Sequence, residues 1–168
     1  YQQTYGKFMK KFIIGGIIFL FAYTAKSDVG FGLMFGDPNA ITVKSRSGGS
    51  NDLIFNLGFY SHYGKVRLDG IYTFNFPSAF KSREFELYAG IGAVIAFGEG
   101  NSFFYGKHHH DDDDLHDGDV GIGAKGLIGV NFKPSKQFEI FFDLGPLIGL
   151  TNGVGADMEA ALGFRFYP

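Results

Sequence analysis

Glu84–Phe97 reads EFELYAGIGAVIAF, and its period decides how the rest of the chain folds. Phe85, Leu87, Ala89, Ile91, Ala93, Ile95 and Phe97 form one series, and all are apolar. Glu84, Glu86, Tyr88, Gly90, Gly92, Val94 and Ala96 form the other, charged at one end and small along its length. A period of two is the mark of a strand. The alternation runs well past the ordinary soluble strand of about 5–6 residues. It matches the roughly 9–11 residues a tilted strand needs to cross a bilayer with its apolar side outward.

The same pattern recurs on both sides of this stretch. Upstream, Val29–Gly36 sets Phe31, Leu33 and Phe35 against Gly30, Gly32 and Met34, and Ala40–Arg46 sets Ile41 and Val43 against Thr42, Lys44 and Arg46. A third strand alternates Leu53, Phe55, Leu57 and Phe59 with Asp52, Ile54, Asn56 and Gly58. In Lys65–Phe76, Val66, Leu68, Gly70, Tyr72, Phe74 and Phe76 oppose Lys65, Arg67, Asp69, Ile71, Thr73 and Asn75. Downstream come Asp119–Phe132, Gln137–Gly149 and Gly155–Tyr167, each alternating in the same sense. Turn chemistry separates the strands at Asp37-Pro38-Asn39, Ser47–Asn51, Ser61–Gly64, Pro77–Arg83, Lys133–Lys136 and Thr151-Asn152-Gly153. The one long loop is Gly98–Gly118.

Eight such strands predict an antiparallel up-and-down transmembrane β-barrel, because an even-numbered meander can close and leave no edge. An eight-stranded barrel has room inside for side chains only, so a filled lumen without an open pore is expected. That also gives a reason for the 26 glycines. Tyr60, Tyr63, Phe74, Phe76, Phe80 and Tyr167 lie near strand ends and suit interfacial girdles. The charged residues expected inside are Lys44, Arg46, Lys65, Arg67, Asp69, Glu84, Glu86, Lys125, Glu139, Asp143, Asp157, Glu159 and Arg165. Both signs are present, which points to a salt-bridged plug.

The chain begins with a different kind of segment. Met9 is followed by Lys10 and Lys11, the apolar run Phe12–Ala22 and then Ala25-Lys26-Ser27. A basic start, a short apolar core and an A-x-A-like site predict a signal peptide cleaved after Ser27, which divides the chain into 1–27 and a barrel domain of 28–168. No cysteine is present to carry a lipoprotein anchor. Cleavage removes Lys7, Lys10, Lys11 and Lys26 and no acid, which takes the net charge from −2 to −6. So acidic a domain argues against nucleic acid as partner.

Four stretches carry a resemblance. Gly30, Gly32, Gly36, Asp37 and Pro38 set a G-x-G-x-x-x-G-D-P pattern, followed by Tyr88-Ala89-Gly90-Ile91-Gly92, Asp143-Leu144-Gly145-Pro146 and the closing Gly163-Phe164-Arg165-Phe166-Tyr167. In this order they resemble a family of small bacterial outer-membrane β-barrels of unassigned function, over most of 28–168. The resemblance implies the general eight-stranded surface-protein class, located in the outer membrane, with no shared catalytic residues.

Two sites invite chemistry. Ser61 and His62 lie at a rim turn, but adjacent residues on a strand point to opposite faces and no third partner is evident, so no catalytic residue is expected. The loop 106–119, GKHHHDDDDLHDGD, is denser in ligands. His108, His109, His110, Asp111, Asp112, Asp113, Asp114, His116 and Asp117 offer imidazoles suited to Zn, Cu or Ni and carboxylates suited to Ca, Mg or Mn. They match no fixed ligand spacing. Weak divalent binding competes here with a solvated acidic cap, and no tightly held cofactor is expected. Phe103-Phe104-Tyr105 beside them form an aromatic patch of the kind that meets partners. The expected role is structural or surface-interacting, with outer-membrane lipid around a monomeric barrel and an extracellular protein or host ligand at loop 98–118. The alternatives are a barrel enzyme acting on envelope lipid and a soluble lipocalin-like binder of apolar ligands. The second would need apolar residues inside and polar ones outside.

Overall fold

A computed structural model describes residues 28–60, 65–98, 119–151 and 155–168. The segment 1–27, the turn residues 61–64, the loop 99–118 and residues 152–154 lie outside the described residues. The predicted signal peptide, the Ser61–His62 pair and the His/Asp metal-ligand cluster therefore fall outside them too.

Eight antiparallel strands follow in chain order: β1 Asp28–Gly36, β2 Asn39–Arg46, β3 Asn51–Tyr60, β4 Lys65–Phe76, β5 Phe85–Gly98, β6 Asp119–Ser135, β7 Phe138–Gly149 and β8 Gly155–Phe166. Each pairs with the next, and β1 pairs with β8, so the sheet is closed. The predicted strand ends agree to within a residue or two except in β6. There the sequence puts a turn at Lys133–Lys136, whereas the strand continues to Ser135. Pro134 sits where the β6–β7 register shifts between Phe132 and Ser135. A proline has no N–H for the ladder, and a bulge is one place in a sheet that does not ask for one.

The pairing fixes what lies at each end. Asp28, Arg46, Asn51, Phe76, Phe85, Ser135, Phe138 and Phe166 all stand at one end, here the terminal end. The connections after β1, β3, β5 and β7 lie at the other, here the loop end.

Alternation sorts the side chains as the sequence requires. The outer surface is apolar along every strand, with Leu33, Ile41, Phe55, Leu68, Ile95, Ile122, Phe142 and Leu162 exposed and Ile91 at 66%, Ile128 at 62% and Met158 at 60% of full exposure. So large an apolar surface would be untenable in water. Aromatic rings gather at the terminal end: Phe85 lies 4.9 Å from Phe132 and 6.2 Å from Phe80, and Phe138 lies 6.0 Å from Phe164. Phe74, Phe76 and Phe80 belong to this girdle. Tyr167 does not. It is buried, because it keeps the inward parity of Glu159 and Arg165. Of the other expected girdle members, Tyr63 and the side chain of Tyr60 lie outside what is described.

Inside, space is made by removing side chains. A Cβ on Gly30 would collide with the ring of Tyr167, one on Gly129 with Tyr88 and Asp143, and one on Gly163 with Phe141. Each of these glycines is the socket of a large inward ring. Rings and glycines thus fit into one another across the described interior.

Candidate functional site

The candidate site is the lumen, where two ion-pair networks lie on either side of apolar layers. The network near the terminal end centres on Glu139 of β7. Lys44 of β2 approaches its carboxylate at 3.4 Å, Arg46 Nη2 at 3.0 Å and Arg165 Nη1 of β8 at 2.8 Å. The hydroxyl of Tyr167 donates to the same group at 3.3 Å. Lys44 also pairs with Asp52 at 3.4 Å, and Asn75 Nδ2 donates to Asp52 at 2.7 Å. Arg165 spends its remaining donors on Thr42 Oγ1 at 3.1 and 3.0 Å, and its guanidinium lies 3.7 Å from the Phe141 ring centroid. Arg46 covers the Tyr167 ring at 3.4 Å and reaches Asp28 at 3.5 Å.

The second network is nearer the loop end. Arg67 of β4 holds Asp69 with two bonds, 2.6 and 3.0 Å, and spans the lumen to Glu159 of β8 with its remaining donors. Lys125 of β6 closes the group, 2.7 Å from Glu159 and 3.6 Å from Asp69. Two buried apolar clusters fill the space between the networks: Ile54, Ile71, Tyr88 and Leu127, and Met34, Ala40, Phe141 and Ala161. Tyr88 donates to Asp143 within this layer, and Lys44 stands 5.3 Å from its ring.

These contacts carry the expected plug, residue by residue. Lys44, Arg67, Asp69, Lys125, Glu139, Asp143, Glu159 and Arg165 are all buried. Arg46 and Glu86 are partly buried, the latter paired to Lys133 at 2.7 Å. Two expectations are corrected: Glu84 and Asp157 are exposed, since both lie at strand ends where the wall gives way to solvent. The side chain of Lys65 lies outside what is described. Asp52 was missed as a lumen charge although its parity with Ile54 and Asn56 gives it away; it is buried and paired. Taking Arg46 with the buried groups, five cations face five acids; Asp52, Asp69, Glu139 and Glu159 are ion-paired and Asp143 is held by the Tyr88 hydroxyl, so paired charge replaces most of what would be costly isolated burial.

The described residues contain no histidine and no grouping of three or more metal-ligating side chains. The chemistry of the lumen is electrostatic cross-linking of the wall.

An apolar outside, a polar filled inside and closure at eight strands define a small integral outer-membrane β-barrel, and they exclude the soluble apolar-ligand binder, whose faces would be reversed. No family model and no curated protein matches the chain. Among solved structures, the N-terminal β-barrel domain of Pseudomonas aeruginosa OprF is similar, with a TM-score of 0.59 and 11% identity over 82% of this chain and 93% of that one. Neisserial surface protein A gives a TM-score of 0.47 and 12% identity over 84% and 94%. At such identity the OprF domain shares the fold.

Proposed function

We propose that the chain is a structural and surface-interaction barrel of the bacterial outer membrane, monomeric and without catalytic activity. The filled lumen carries this reading: Arg67, Lys125, Asp69 and Glu159 bridge opposite walls where a pore would need water. In this reading both chain ends face the periplasm, so the connections after odd-numbered strands face outward. Loop 98–118 is then extracellular, and it is the segment that meets an outside protein or host ligand. Outer-membrane loops are the longer connections in this class, which supports the orientation. Protease added to intact cells should cut within 99–118 and leave a protected barrel. Cleavage only after the outer membrane is opened would reverse the orientation and end this reading.

The same loop is proposed to bind divalent metal weakly through His108, His109, His110, His116 and the neighbouring Asp111–Asp114 and Asp117. Neutral imidazoles and ionised carboxylates are both available at pH 7, and affinity should fall as the histidines protonate near pH 6. Calorimetric titration of Zn²⁺ into the refolded barrel should give heat that a variant with all four histidines changed to alanine lacks. Equal heats would leave a solvated acidic cap.

A further inference from the structure

We propose that the terminal end of the barrel carries a binding strip for anionic glycerophospholipid headgroups, built from the β4–β5 connection and the β6–β7 turn. The inference rests on the outer-membrane reading and adds a lipid class and a place to it. The connection 77–84 is a folded turn: Ala79 N donates to Phe76 O at 3.1 Å, and Glu84 N donates to Ser82 Oγ at 3.2 Å. Lys133 N donates to Glu84 O at 2.7 Å, which ties this turn to the end of β6. Lys81, Arg83 and Lys136 therefore share one sector of the rim.

All three are exposed, and none forms an ion pair among the described residues. Lys133 is already committed to Glu86, and Glu84 is the exposed acid of the sector. The girdle rings Phe80 and Phe132 both pack on Phe85, and in sequence Lys81 follows Phe80 directly while Arg83 stands two residues before Phe85. Aromatic girdles mark the boundary between hydrocarbon and headgroups. Cations that begin where the rings end stand at the height of lipid phosphates. The opposite end has the opposite sign: Asp157 is exposed there, and the sequence joining β5 to β6 holds six acids against Lys107. Basic residues are thus concentrated at one rim, where they complement a phosphate that carries no compensating amine.

The test uses the full chain refolded into bilayers of phosphatidylcholine with a minority of phosphatidylglycerol. Insertion is read by protease protection, and retained lipid by native mass spectrometry. Phosphatidylglycerol should be enriched over phosphatidylcholine, and rising salt should erode the enrichment. A Lys81→Gln/Arg83→Gln/Lys136→Gln variant should insert equally and lose roughly tenfold or more of it. An Asp157→Asn variant should behave as the parent. Equal retention of the two lipids, or undiminished enrichment in the triple variant, overturns the strip while leaving the barrel in its membrane. Failure to insert in either bilayer overturns the outer-membrane reading as well.

Discussion

At Glu139 three cations, Lys44, Arg46 and Arg165, converge on one carboxylate with both oxygens engaged. Removing the acid leaves the buried Arg165 without its carboxylate and Lys44 and Arg46 with only Asp52 and Asp28. Glu139→Ala should therefore cost about 3–5 kcal/mol, the range for breaking a buried ion pair on one side. Urea unfolding in lipid vesicles measures it, and a cost below about 1 kcal/mol would mean the cations find other partners. A second residue-scale prediction concerns fit. Gly129→Ala puts a methyl where the Tyr88 ring lies, and should cost about 1–3 kcal/mol. In a Tyr88→Ala background the same change should cost clearly less, with only the contact to Asp143 left. Additive costs in that double-mutant cycle would show that the glycine is not the ring's socket. On the outer face, Ile91→Arg should cost about 2–4 kcal/mol if the site lies near the bilayer midplane. A neutral result in lipid would mean Ile91 is not buried in hydrocarbon.

Among the strands, β5 and β6 pair without interruption from Phe85↔Phe132 to Gly98↔Asp119, whereas the β6–β7 ladder passes from Lys125↔Leu147 to Ile128↔Leu144 without pairs between. Pro146 stands in that gap with its ring against Gly126 on the lipid side. It supplies no N–H, so one ladder bond is missing where no water replaces it. Amides flanking the gap should exchange with solvent deuterium faster than those of the β5–β6 ladder; equal protection would mean the strands close up around the proline. Strand existence and facing were legible in the sequence, because the two-residue period fixes both at once and survives glycine-rich stretches such as Gly90–Gly92. Parity alone also places Tyr167 inside with Arg165; reading its ring as a girdle member let residue type override position. The continuation of β6 through Pro134 was not legible, since a bulge and a turn share the same local residues. Ion-pair partners were hidden for another reason. Lys44 and Glu139 meet only through closure and strand stagger, which no local pattern records.

For the whole molecule, wall and lumen are one cross-linked object. Its folded form should resist dodecyl sulfate at room temperature and run on a gel at a different position from the boiled chain. A single position at both temperatures would contradict closure. In planar bilayers the plug should hold conductance near the baseline. A steady open channel in the parent protein would show that Arg67 and Glu159 do not keep their bridge. Closure itself rests on an unequal seam. Seven of the pairings join strands adjacent in sequence, whereas β1 meets β8 through Phe31↔Phe166 to Gly36↔Ala161, partners separated by nearly the whole described chain. Loop-closure entropy for such distant partners must be met before their contacts return anything, which makes non-local pairing slow. The order of assembly follows: seven hairpin seams can zip early and reversibly, and the joining of first strand to last is the commitment step after which the barrel cannot open one strand at a time.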